Sequence, residues 1–247
     1  MKDLKHLIYF ENLLQEANNE LVQKAVKEGD VALGYNCFYI PEPLMNLPGC
    51  FSARLRAPNC QSTDVASYYM TTRNCPYVRA ILERAVEGGY NFLDALFGAE
   101  CCAAMERMEE HFSLIDPVKN KKFFTTIIDP PLKDDENALN YYKTELKLKV
   151  VDELKKQRGI DTSEKAMLAA IADHNEISRI ITEIGDFRKL PNPPITGYEF
   201  EVIQLVSETC PHRLILPYLQ ETLDEIKKRK PEKTFPFRAR VVIAGPE

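Results

Sequence analysis

Tryptophan is absent from this chain, and glycine is scarce, at 10 of 247 residues. Neither Gly-x-Gly-x-x-Gly nor Gly-x-x-x-x-Gly-Lys-Ser/Thr occurs, so a dinucleotide fingerprint and a P-loop both lack their phosphate-cradling glycines. Any nucleotide must bind elsewhere or on a partner. There is no Cys-x-x-Cys pair, which leaves a zinc knuckle without support. Only four histidines are present, and none stands in a recognisable nucleophile motif with Ser or Cys, so triad hydrolysis is disfavoured. Basic residues are outnumbered, 32 Lys and Arg against 37 Asp and Glu, and a net charge of -5 provides no basic surface for nucleic acid. No apolar run approaches the ~20 residues that span a bilayer, and Met1 to Glu16 lacks the layout of a signal peptide. The expectation is a cytoplasmic protein with neither a nucleic-acid nor a membrane partner. No internal repeat or low-complexity segment is evident.

What is present is 45% hydrophobic residues, enough for a sizeable core, and seven cysteines, an odd number that argues for reduced thiols over a disulfide framework. The stretch from Arg73 to His111 organises the rest. Val78, Ile81, Leu82, Ala85 and Val86 follow helical spacing, with Pro76 suited to the first helical position and Cys75 therefore at the N-cap. Gly88-Gly89 ends that helix, Phe92 to Phe97 reads as a buried strand, and a second helix opens near Cys101-Cys102. Two thiols thus stand at two helix starts, where positive potential favours the thiolate that binds metal. The carboxyl ends of strands in an open α/β sheet are also where ligands collect, so the two sites are expected to converge on one crevice.

Elsewhere, Leu4 to Glu28 reads as one or two amphipathic helices, an arm over residues 1–30. Val31 to Ile40 and Cys50 to Ala57 read as strands, with a short helix from Leu44 to Leu47 between them and loop from Asn59 to Thr72. Lys122 to Ile128 is a further strand, stopped by Asp129-Pro130-Pro131. Helical pattern follows over Asn137 to Arg158, from Thr162-Ser163-Glu164 onward, over Tyr198 to Leu205 and over Leu214 to Lys230. Alternating strands and helices predict an α/β fold, a parallel-sheet, Rossmann- or flavodoxin-like domain with a helical extension over residues 31–235. Phe237 to Ala244 reads as a strand opening a second α/β domain over residues 236–247, cut off at its first strand.

On spacing alone, Cys75 and Cys102 are either metal ligands or small buried hydrophobes. Cys101 and Cys102 are adjacent and do not readily face one metal together, so one of them is assigned to structure. Cys37, Cys50, Cys60 and Cys210 lack ligand spacing and are assigned to packing. Glu42, between two prolines after a strand, stands at the carboxyl edge where substrates bind, with a solvated loop carboxylate as the alternative.

Five blocks in order resemble a known family: Gly34-Tyr-Asn-Cys-Phe-Tyr-Ile-Pro-Glu-Pro-Leu44 with Pro48-Gly49; Asn74-Cys75-Pro76-Tyr77; Cys102-Ala-Ala-Met105; His174-Asn175, Arg179 and Pro194-Ile-Thr-Gly197; and Arg240-Val-Val-Ile-Ala-Gly245. They are similar to subunits of the 2-hydroxyacyl-CoA dehydratase family, which also contains the B and C subunits of benzoyl-CoA reductase. The resemblance implies a 4Fe-4S cluster held by cysteines from two α/β domains, with Cys75 and Cys102 as the ligands from the first and Cys101 as the alternative to Cys102. It implies radical elimination of water from an (R)-2-hydroxyacyl-CoA to an enoyl-CoA, a lyase reaction, with Glu42 lining the acyl site or orienting water. The implied partners are a homologous second subunit and an iron-sulfur ATPase activator, alongside the acyl-CoA substrate. Pro43 and Cys37 depart from the family pattern, the first replacing a second glutamate and the second a common hydroxyl residue. Alternatives are a benzoyl-CoA-reductase-type or double-cubane reductase subunit, and a non-catalytic dimerisation fragment.

Overall fold

The computed structural model of the protein describes residues 3–230. Its centre is a four-stranded parallel sheet in the order β2-β1-β3-β4, formed by β1 (Val31–Tyr35), β2 (Cys50–Arg54), β3 (Ala95–Ala99) and β4 (Phe124–Ile128). This is the flavodoxin-like order, and it puts a topological switch point between β1 and β3. β1 pairs with β3 through Leu33↔Ala95, Gly34↔Leu96 and Tyr35↔Phe97. The expected strands all exist, with shifted ends. β1 stops at Tyr35 and not at Ile40, because the Ile40 N–H turns back to the Cys37 carbonyl at 3.1 Å. β3 begins at Ala95 and not at Phe92, because the Leu93 N–H closes a turn onto Tyr90 and Asp94 anchors the strand start. Asp94 accepts from the Ala32 N–H at 2.9 Å and pairs with Arg158 at 3.0 Å.

Local chemistry accounts for the helices. Helix α2 (Glu20–Glu28) is capped by Asn19, which accepts from Leu21 N and Val22 N, and it ends on Gly29 in the left-handed region at φ 98°. Helix α5 (Pro76–Val86) carries Pro76 in its first turn with Cys75 as N-cap, and α6 (Ala103–Leu114) has Cys102 as N-cap, both as expected. The stretch expected as loop contains one short helix, α4 (Ala66–Tyr69), held by the buried Glu83 carboxylate, which accepts from the Ala66 N–H at 2.7 Å. The long helix expected from Asn137 is α7 (Glu136–Leu146), a π-turn over Lys147–Val151 and α8 (Asp152–Arg158). Helix α9 (Glu164–Phe187) starts on its Ser163 cap, and α10 (Gly197–Thr209) on a full capping box between Thr196 and Glu199. Helix α11 (His212–Lys228) closes the described chain.

These elements form three apolar clusters. One face of the sheet meets α5 and α6 through Phe51, Ile81, Leu82, Leu96, Met108 and Phe112. The other meets α3 (Glu42–Met45), α8 and α9 through Tyr35, Met45, Phe97, Leu154 and Ala170. A third cluster is wholly helical, where α1 (Leu7–Leu13) supplies Leu7, Phe10 and Leu13 to α9, α10 and α11. The N-terminal arm therefore builds core. The expected strand from Phe237 to Ala244, and the second domain it would open, lie outside the described residues. Among the described residues, no helix is long and apolar enough to cross a membrane.

One glycine is dictated by close approach. A Cβ on Gly98 in β3 would lie 2.1 Å from the Glu109 Oε2 of α6. Gly98→Ala is therefore expected to destabilise the protein by about 2 kcal/mol in urea unfolding, the scale of overpacking in a core. The combination with Glu109→Ala should recover most of that loss, and a Gly98→Ala protein of unchanged midpoint would show that the carboxyl group can move aside freely.

Candidate active site

Both β2–α5–β3 and β3–α6–β4 cross the sheet in the same direction, and right-handed connections put α5 and α6 on one face, where they pack together. Helices in such units run antiparallel to the strands, so both N-termini open at the carboxyl edge of the sheet. Cys75 and Cys102 cap these two helices, and both are exposed. Among the described residues, no three His, Cys, Asp or Glu side chains converge on a metal-sized position. Cys101 is not grouped with the helix caps. It interacts side chain to side chain with Cys37 from the end of β1, and burial together with that neighbouring thiol pushes Cys101 up to about 12. Cys210 is fully buried, as packing predicts.

Glu42 is the first residue of α3, and it is not the solvated loop carboxylate that composition offers as the alternative. Its Oε1 accepts from Ser52 Oγ at 2.9 Å and meets His212 Nε2 at 3.1 Å, while its Oε2 meets His174 Nδ1 at 3.0 Å. Asn46 braces the group from behind, donating to Ser52 Oγ at 2.9 Å and accepting from Ser52 N at 3.1 Å. Burial alone would raise the Glu42 carboxyl, but the adjoining His174 ring and the hydrogen bonds from His212 and Ser52 outweigh it and hold the group at about 2. The same 3.0 Å contact with Glu42 raises His174 above its ordinary value against the opposing effect of burial. The pair is thus a carboxylate that stays ionised beside an imidazole that holds its proton more firmly than a free one. The other ring nitrogen of His174 lies 3.3 Å from Ser178 Oγ.

Glu42 and His174 line a cleft of about 420 Å³ between the β1–α3 connection and α9 and α10. Ile177 and Ile181 supply apolar wall, and Glu208 closes one side in a 2.7 Å pair with Arg54, whose guanidinium lies 4.4 Å from the Phe38 ring centre. The volume falls within the ~300–1,000 Å³ typical of small-molecule sites. A smaller pocket of about 170 Å³ is lined by His212, Asn46, Asp30 and Asp173.

The sequence singles out Glu42, and His174 within a resemblance block, but links neither to His212 or Ser52. His212 is 170 positions from Glu42, and no local spacing signals the contact.

The structure thus presents an open parallel sheet with two cysteine-capped helices at its carboxyl edge and, at the start of α3, a histidine-flanked carboxylate lining a cleft. The family model for 2-hydroxyglutaryl-CoA dehydratase, D-component, matches residues 37–247, and the chain belongs to that family. It is also similar to the (R)-phenyllactyl-CoA dehydratase beta subunit of Clostridium sporogenes, 20% identical over 234 residues, which cover 95% of this chain. The chain spans about 60% of the length of that relative.

Proposed function

We propose that the chain works as one component of an iron-sulfur 2-hydroxyacyl-CoA dehydratase, eliminating water from an (R)-2-hydroxyacyl-CoA. In this reading Cys75 and Cys102 are its contribution to the ligands of a 4Fe-4S cluster. The observation that carries the proposal is the pair of exposed thiols capping two packed helices at one sheet edge, in a member of a dehydratase family. Thiolates are the donors such clusters take, so these residues fit as part of a ligand set. The described residues supply no complete set, and further ligands would come from outside them. When bound, the cluster supplies one-electron chemistry and Lewis acidity, which a dehydration with a poorly acidic β-hydrogen requires.

The remaining steps belong to this chain's own side chains. A hydroxyl leaves readily only as water, so a proton must reach it. His174, whose hold on its proton Glu42 strengthens and which lines the cleft, is the proposed donor. Glu42, braced by Ser52 and Asn46, holds the imidazole in place and keeps the counter-charge. Ile177, Ile181 and Phe38 would shelter the acyl chain from water. A homologous second subunit and an iron-sulfur ATPase activator are the proposed partners.

The test is the iron and sulfide content of the whole protein, purified without oxygen. Cys75→Ser and Cys102→Ser are each expected to lose most of both, while Cys101→Ser keeps them. A Cys75→Ser protein with full iron, or a colourless parent protein, would refute the assignment.

A further inference from the structure

The cleft that holds Glu42 and His174 has a charge pattern as definite as its shape. Two carboxylates line it, Glu42 at the start of α3 and Glu208 near the end of α10, and among the described residues no lysine or arginine does. Each of these acids already faces a basic group. Glu42 Oε2 lies 3.0 Å from His174 Nδ1. Glu208 Oε2 lies 2.7 Å from Arg54 Nη1, while its Oε1 accepts from Gln204 Nε2 at 3.2 Å, so both of its oxygens are engaged. The Arg54 and Glu208 side chains are only 22% and 12% exposed, which leaves water little room to screen the pair. Arg54 ends β2, and its guanidinium is further occupied by the Phe38 ring, 4.4 Å away. The rest of the wall is uncharged, with Ile40, Ile177 and Ile181 beside Ser178, Thr182 and Ser207.

We propose that this cleft selects acyl groups with an uncharged tail, branched or aromatic, and rejects those ending in a carboxylate, with Glu208 as the residue that sets the preference. The proposal rests on the reading of the cleft as the acyl site. A carboxylate-ended tail would bring a third negative charge into a space where Glu42 and Glu208 already stand, and where His174 and Arg54 are each committed to one of them. A charge taken from water without a counter-ion is costly, and like charges set side by side repel, so such a substrate is opposed twice. An uncharged tail meets neither cost. It gains instead from covering the isoleucines and Phe38, and a cleft of about 420 Å³ has room for a phenyl or a branched alkyl group. Glu208 makes no bond to the substrate in this scheme. It acts by repulsion, and by occupying the arginine that a carboxylate would otherwise seek.

The test compares three (R)-2-hydroxyacyl-CoA thioesters, ending in phenyl, isopropyl and carboxylate groups, for binding to the full chain by calorimetry, with CoA alone as the baseline they share. The phenyl and isopropyl compounds are expected to bind at least ~10-fold tighter than the carboxylate-ended one. Glu208→Gln removes one negative charge from the wall and is expected to strengthen binding of the carboxylate-ended thioester ~10-fold, with the phenyl compound within ~2-fold of the parent. Because that variant also breaks a half-buried ion pair, Thr182→Lys provides a second measurement at an exposed position of the same wall. Its added cation should bring a gain of the same order for the carboxylate-ended thioester alone. A parent protein that holds the carboxylate-ended thioester as tightly as the phenyl one, both tighter than CoA, would overturn the proposal and leave the acyl site standing. So would a preference that neither substitution shifts, since the selection would then be made elsewhere. Three thioesters that bind no tighter than CoA would take the acyl group out of the cleft and overturn the underlying reading as well.

Discussion

Glu42→Gln is expected to lower the unfolding free energy by about 3 kcal/mol at pH 7 and by almost nothing near pH 2. The carboxyl group titrates at its ordinary value of 4.5 when unfolded and at about 2 when folded. Each unit of difference corresponds to ~1.4 kcal/mol, so roughly 3 kcal/mol is linked to keeping the group ionised. Because the folded value is depressed, that stability is present above about pH 4.5 and is lost as pH falls toward 2. Glutamine keeps the volume but removes the charge that both imidazoles face, including His212, which is 6% exposed. Urea unfolding of both proteins between pH 2 and 7 checks this. Two curves that stay parallel down to pH 2 would mean that Glu42 carries no linked charge. From the other side of the same contact, His174 with its raised value contributes stability below its unfolded value that fades as pH rises through the folded one.

Glu109→Gln is expected to act with the opposite sign, stabilising the protein by about 4 kcal/mol at pH 8. Glu109 is 1% exposed against Gly98, and neither of its oxygens has a well-formed hydrogen bond. Burial pushes its carboxyl up to about 8, only partly opposed by the Asn36 side chain and the Ala99 backbone. With the folded value raised, the unfolded chain ionises first, above about pH 4.5. Folding stability then erodes with rising pH until the folded group ionises too, near 8. The separation of these values corresponds to ~5 kcal/mol in full, of which ~4 kcal/mol is reached at pH 8, where the folded group is half ionised. Glutamine has no charge to desolvate, so its advantage should be small at pH 4 and grow steadily to pH 8. A variant less stable than the parent at pH 8 would mean that the carboxyl is ionised and paired in the fold.

The two carboxylates show how one sheet edge sets opposite states for the same functional group. Glu42 has two imidazoles and a hydroxyl beside it and stays charged. Glu109 has only buried neighbours without good geometry and stays neutral below about pH 8. Composition gives both the same ordinary starting point. Position in the fold separates them.

Much of the framework was legible in the residues themselves, because the signals involved are local. Pro76 and the spacing from Val78 to Val86 determined a helix with Cys75 at its cap, Ser163 determined a further start, and alternating strand and helix patterns determined a parallel α/β sheet. Strand ends were less legible, since apolar residues such as Ile40 and Leu93 are buried in turns as well as in strands. Only the tertiary structure decided the strand order, and with it that Cys101 meets Cys37 and that Glu42 lies between His174 and His212. Those contacts join residues from distant parts of the chain, and their energies arise from burial and charge in a shared low-dielectric space that no short stretch of sequence encodes.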